Sequence, residues 1–124
     1  MQDELTETVI GCAMKVHRTL GPGFLENVYS HALAHELKKT NLNIQLEAPL
    51  KVYYDDILVG EYKADILIPN RLIIELKAVS QLTTAHEVQT VNYLTATNID
   101  TGLLLNFGTQ SLQVKRKFRS TKRD

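Results

Sequence analysis

The sequence predicts an α/β fold with a mixed central sheet flanked by helices, in the order ααβββαββ. Three observations carry this. Two amphipathic stretches at helical spacing open the chain. Three apolar strands then follow each other through very short turns. A final strand, helix, strand segment needs a crossover between parallel neighbours, and such crossovers are right-handed.

The elements are justified in order. Residues 4–20 place Leu5, Val9, Ile10, Ala13, Val16 and Leu20 on one helical face. Gly21-Pro22-Gly23 breaks that helix. A second helix is expected from about Phe24 to Lys39, with Phe24, Leu25, Val28, Tyr29, Ala32 and Leu33 as its apolar arc. Lys38 and Lys39 suit the negative end of its dipole. Strands are expected at roughly 43–54, 57–68 and 71–79, an antiparallel meander turning at Asp55-Asp56 and Pro69-Asn70. A bend near Ala48-Pro49 is expected to split the first of them. The third helix spans 83–96, capped by Thr83 or Thr84, with Glu87 completing a capping box after Thr84. A buried strand at 102–107 and an edge strand at 111–118 close the chain.

Asp65, Glu75 and Lys77 violate the apolar pattern of the second and third strands. A buried, unpaired charge costs several kcal/mol, so strands bound for a core do not carry one without a reason. Side chains alternate across a strand, so Glu75 and Lys77 share a face. If the hairpin pairs Ile68 with Leu72, Asp65 lies opposite Glu75 and two carboxylates converge with one lysine. Mg²⁺ takes hard oxygen ligands and keeps several waters. Asp65, Glu75 and the Leu76 carbonyl can supply the protein ligands, and Lys77 can orient a water or offset charge developing on a phosphoryl group. The competing reading is a set of surface ion pairs in which Lys77 bridges the two acids.

At 124 residues the chain is long enough for one domain with a true core, and its 44% hydrophobic content excludes wholesale disorder. The single cysteine, Cys12, excludes an internal disulfide and reads as a small core residue. No apolar run approaches the roughly 20 residues of a spanning helix, and no leader pattern opens the chain, so a soluble, cytoplasmic protein with no membrane partner is expected. The formal net charge is zero but unevenly placed: Lys115, Arg116, Lys117, Arg119, Lys122 and Arg123 crowd the C-terminus. Residues 1–114 hold eight basic and thirteen acidic side chains, a balance of −5. A basic tail on an acidic body suits contact with a polyanion such as DNA. The alternative is a solvated terminus that touches nothing.

Asp on the second strand and Glu-x-Lys on the third, within an αβββαβ core, resemble the PD-(D/E)XK nuclease superfamily. The likeness covers about residues 5–118. The run from Gly23 through Glu26 to Tyr29 reads G-x-x-E-x-x-Y and is similar to the small prokaryotic GxxExxY proteins of that superfamily. The run from Gln89 to Tyr93 reads Q-x-x-x-Y, similar to the RecB-like and phage-exonuclease branch. Ala64 stands where the superfamily name implies proline. The resemblance implies a restriction-endonuclease-like core with an extra N-terminal helix and a C-terminal edge strand. It also implies DNA as substrate, Mg²⁺ or Mn²⁺ as cofactor, and Glu26, Asp65, Glu75, Lys77, Gln89 and Tyr93 as site residues. Glu26 can then reach the metal directly or through a water, Gln89 can orient water or phosphate, and Tyr93 can donate to a phosphate. Their bland readings are a favourable charge at a helix start for Glu26 and a half-buried helix face for Gln89 and Tyr93. Tyr29 reads as a core aromatic with its hydroxyl tied down.

His31 and His35 are four apart on a helix, a zinc-compatible spacing without a third ligand nearby in sequence. His86 is placed to face the same cleft as Gln89, and His17 carries no functional signal. Three readings follow: a metal-dependent deoxyribonuclease, a nuclease-fold protein that binds nucleic acid without cutting it, and an interaction module using the last strand's edge. A domain this small has few walls to enclose a duplex, so a homodimer is an expected partner state.

Overall fold

The computed structural model describes residues 2–119, with side chains from Glu4 onward. Lys122 and Arg123 therefore lie outside the described residues. The elements are α1 (Gln2–Leu20), α2 (Glu26–Lys38), β1 (Gln45–Tyr54), β2 (Ile57–Ile68), β3 (Leu72–Lys77), α3 (Thr84–Thr97), β4 (Thr101–Asn106) and β5 (Gln113–Phe118). The sheet runs β1-β2-β3-β4-β5, antiparallel throughout except for the parallel pair β3 and β4. The crossover through α3 is what makes that pair parallel.

The turns form as their residues dictate. Asp55 and Asp56 both take positive φ, 52° and 63°, as a two-residue hairpin turn requires. Asn70 takes φ 64° between β2 and β3, and Ile68 pairs with Leu72.

Two cores lie on opposite faces of the sheet. On one face α1 and α2 cover Ile66, Ile68, Ile74, Leu76, Leu103 and Leu105. On the other, α3 covers Leu50, Ala64 and Ile73 through Tyr93 and Leu94. The apolar stripe of α1 is the expected one. That of α2 is rotated: Tyr29, Leu33, Ala34 and Leu37 are buried, whereas Phe24, Leu25 and Val28 are exposed. The helix starts only at Glu26, so Phe24 and Leu25 belong to the preceding loop and cannot share its stripe.

The bend in β1 differs from expectation. The strand is continuous through Pro49, and the irregularity falls one residue before Ala48. Glu47 takes φ 49° and drops out of the ladder, which pairs Leu46 with Ile66 and Ala48 with Ala64. The unpaired residue opposite is Asp65. Across this break the strands change face, because Ala64 lies in the α3 core while Ile66 lies in the α1–α2 core. A second irregularity falls between Val52 and Tyr53, and beyond it the hairpin is exposed.

Candidate active site

The site sits where the β1–β2–β3 ladder is interrupted. Backbone pairing of β2 with β3 runs from Ile68–Leu72 to Ile66–Ile74. At the next position side chains take over. The Asp65 N–H donates to Glu75 Oε2 at 2.9 Å, and the Leu76 N–H donates to Asp65 Oδ2 at 2.8 Å. Two carboxylates thus substitute for sheet hydrogen bonds, which holds their oxygens in register with the strands. No described residue bonds the other oxygens, Asp65 Oδ1 and Glu75 Oε1, and neither is sealed from solvent.

The charges of Glu26, Asp65, Glu75 and Lys77 act on one another. Glu75 is only 4% exposed. Burial, and then the charge of Asp65, push its pKa up to about 8, against the relief given by the Asp65 N–H and Lys77. Burial raises the Asp65 pKa, opposed by the Leu76 N–H and Lys77 and helped by Glu47. Glu26 is raised by burial and then by Asp65, and Lys77 opposes this. Lys77 is half-buried at the end of β3 and makes no ion pair within 4 Å of a described residue. The reading of Lys77 as a surface bridge between two acids is therefore replaced by a buried Glu75 and a half-buried Asp65, with no ion pair from Lys77 to a described residue.

Loops fix these groups. Gly23, at φ 116°, turns the chain into α2 and puts Glu26 in its first turn. The Tyr29 hydroxyl ties that loop down, accepting from the Phe24 N–H and donating to the Gly21 carbonyl. Its ring stacks on Phe107 at 4.7 Å. Tyr29 is thus the anchored core aromatic the sequence suggested. On the far side, Asn106 is fully buried at the end of β4. Its Oδ1 accepts from the Val79 and Gly108 N–H groups, and its Nδ2 donates to the Val79 carbonyl and to Gln113. The Phe107 N–H donates to the Lys77 carbonyl at 2.8 Å, so the segment carrying Lys77 is held from β4.

Gln89 and Tyr93 share one face of α3 and line a common cavity. Tyr93 is buried in the cluster that holds Ala64 and Ile73, and its pKa is raised by burial and then by the charges of Glu75 and Asp65. Its ring lies 5.5 Å from that of Tyr62. Gln89 is exposed, and no contact ties it to the carboxylates.

Several expectations are corrected. His86, expected to face the cleft, caps α3: the Thr83 N–H donates to His86 Nδ1 and the His86 N–H donates to Thr83 Oγ1, so His86 and not Glu87 completes the box. Glu87 pairs with Lys117 at 2.9 Å. Arg119 pairs with Asp100 at 2.8 Å. Both basic residues, expected to face nucleic acid, are therefore committed to the body. Lys115 and Arg116 are exposed and fall on opposite faces of β5 by strand alternation. His31 Nδ1 sits 2.7 Å from the Asn27 carbonyl, and no third ligand joins His31 and His35 among the described residues. His17 is buried against the Thr109 carbonyl. Cys12 is half-buried with its thiol pKa pushed up by burial, consistent with an inert packing role. Glu47, Tyr62 and Asn106 were missed; the polar Asn106 ending the apolar run at 103–106 was the available signal.

Among the described residues, no three His, Cys, Asp or Glu side chains are gathered closely enough to hold a cation unaided. The donor chemistry nonetheless fits a hard cation that keeps several waters: two crowded carboxylates, each with one oxygen that no described residue bonds.

A mixed sheet between helices, with Asp, Glu and Lys on its second and third strands, defines a restriction-endonuclease-like α/β protein. The chain belongs to the PD-(D/E)XK nuclease superfamily, whose sequence profile matches residues 3–117. Members of that superfamily are in general nucleases. The crystal structure of SSO0001 superposes with a TM-score of 0.58 over 77% of this chain, at 18% identity. The match covers 52% of SSO0001, so this chain spans about half its length, and the likeness is one of fold. No curated protein matches the chain. No helix among the described residues is long and apolar enough to cross a membrane.

Proposed function

We propose that this chain is a cytoplasmic, Mg²⁺- or Mn²⁺-dependent deoxyribonuclease that hydrolyses a phosphodiester bond at Asp65 and Glu75. The observation that carries the reading is the carboxylate pair fastened by the Asp65 and Leu76 N–H groups, beside Lys77, which makes no ion pair with a described residue. Asp65, Glu75 and the Leu76 carbonyl would hold the cation, with Glu26 reaching it from α2. The bound cation would supply a polarised phosphoryl group and an acidified water. Lys77 offsets the negative charge that builds on the phosphoryl oxygens. Tyr93, kept protonated by its surroundings, donates to a phosphate oxygen. Gln89, on the same face of α3, orients the attacking water.

The order of Gly23, Glu26 and Tyr29 supports placing the chain among the GxxExxY proteins of the superfamily. Lys115 and Arg116, with Lys122 and Arg123, are the tail residues that would contact phosphates. Pairing of two copies belongs to the same reading and is checked by sedimentation.

The test is cleavage of duplex, single-stranded, flapped and four-way DNA with Mg²⁺ or Mn²⁺. Asp65→Asn and Lys77→Ala should each lower the rate by about 100-fold, since each removes a metal ligand or a charge stabiliser. Glu26→Ala and Gln89→Ala should cost less. Parent protein that binds these substrates but leaves all of them intact would favour the non-cleaving reading. Cleavage undiminished in Asp65→Asn would locate the activity elsewhere.

A further inference from the structure

A cavity of about 660 Å³ opens between α3 and the β1–β2 hairpin, on the sheet face toward which Tyr93 packs. Val52 and Tyr62 form its strand wall, and Val88, Gln89, Asn92 and Tyr93 its helix wall. We infer that this cavity is a nucleobase subsite, which takes one unstacked base of single-stranded DNA beside the carboxylate pair. The inference rests on the nuclease reading for the identity of the polymer and goes beyond it in naming the strand form.

Four features point to a base. The size is that of a site for one small ligand and cannot admit a stacked duplex. Every lining side chain is uncharged, so the cavity repels nothing in a neutral base and offers no cation to pair with a phosphate. The phosphate would remain with Lys77, at the end of β3. The lining pairs aromatic and branched apolar groups with two carboxamides. The former suit the faces of a base, and the latter supply both donors and acceptors for its edge. Finally, Tyr93 belongs to both places: it lines the cavity, and it packs in one cluster with Ala64 and Ile73, the strand neighbours of Asp65 and Glu75. A base in the cavity and its phosphate at the carboxylates are thus adjacent along one strand.

Tyr62 gives the site its platform. It is half exposed, and its ring is tilted 42° against Tyr93 at 5.5 Å. An exposed tyrosine held by a buried one is a stacking surface that needs no ordering when a base arrives. A base inside a duplex reaches it only after unstacking, which disfavours duplex by the energy of that step.

The experiment uses the full chain in chelator, so that no cleavage occurs. The probe is a labelled single-stranded oligonucleotide of about ten nucleotides, with a series in which one base at a time is replaced by an abasic site. One abasic position should weaken binding to the parent about tenfold. In Val88→Trp an indole fills the cavity from an exposed position, 51% exposed in the parent, so folding is spared. There the same abasic replacement should cost nothing, and duplex affinity should be unchanged. Tyr62→Ala should behave likewise. The inference is overturned if the abasic penalty persists in Val88→Trp, if no abasic position matters, if the single strand is not bound, or if Val88→Trp instead changes the sedimentation of the protein, which would make the cavity a seat for a second copy. Coupling between abasic site and variant, in a protein that cuts no DNA with metal, would retain the subsite and reject the nuclease. Cutting without that coupling would do the reverse.

Discussion

Replacing Glu75 by glutamine should stabilise the protein at alkaline pH and leave it unchanged in acid. The carboxyl is 4% exposed and its pKa is raised from 4.5 to about 8. Below pH 4.5 it is protonated whether the chain is folded or not, and contributes no pH dependence. Between 4.5 and 8 the folded protein holds a proton that the unfolded chain releases, so stability falls as pH rises through this window. Above 8 the full penalty applies. Its ceiling is about 5 kcal/mol at 1.36 kcal/mol per pKa unit. Asp65 and Glu26 share the same protons, so about 2 kcal/mol is the expected share of Glu75 alone. The substituted glutamine is neutral throughout, and its carbonyl can still accept from the Asp65 N–H. In a domain of this size the gain corresponds to roughly 6–10 °C in Tm at about pH 8.5. The assay is thermal melting of parent and Glu75→Gln from about pH 4 to 9 in chelator. Adding Mg²⁺ at about pH 8.5 should raise the parent's Tm and not the variant's, because the cation relieves repulsion that the variant lacks. Parallel Tm profiles for the two proteins across the window, or a parent that gains stability as pH rises through it, would refute the reasoning.

Other outcomes are expected from the scaffold and the tail. Tyr29→Phe loses the bonds to Phe24 and Gly21; it should lower stability by about 1–2 kcal/mol in a denaturant melt and loosen the loop that carries Glu26. Gly108→Ala should yield little folded protein, because its Cβ would collide with the backbone nitrogen and oxygen of Val79; circular dichroism after expression checks this. Deleting residues 120–124 removes Lys122 and Arg123 while leaving the Arg119–Asp100 pair. It should weaken DNA binding and flatten its salt dependence without lowering Tm, read from titrations at two salt concentrations beside a melting curve.

The sequence was legible where chemistry is local. The hairpin turns follow from Asp55-Asp56 and Pro69-Asn70: Asp55, Asp56 and Asn70 tolerate left-handed backbone, and Pro69 presets the turn's first φ. The α1 stripe follows from one period. The pairing of Ile68 with Leu72 follows from the turn, and it alone brings Asp65 to Glu75. What escaped was set by distant contacts or by a single irregular residue. Nothing in the residue types around Glu47 announces its left-handed conformation, yet that residue switches which side of β1 and β2 faces α3. The apolar arc of α2 was misjudged because the helix begins two residues later than its hydrophobic pattern. The commitments of Lys117 to Glu87 and Arg119 to Asp100 join residues 30 and 19 apart in the chain, and composition treats all the tail's charges as equivalent.

The carboxylates that stand in for missing ladder bonds have an implication for how relatives of this chain would drift. A lineage that abandoned chemistry could shed Lys77 at once, since that side chain closes no bond to a described residue. It could not shed Asp65 or Glu75 so freely, because each also terminates a strand's hydrogen bonding. On the proposed nuclease reading, two selective pressures therefore guard the acids and one guards the lysine. Among descendants of this fold, loss of the lysine with both acids in place would mark a retired enzyme, and an intact acid pair alone would certify only that the sheet still closes.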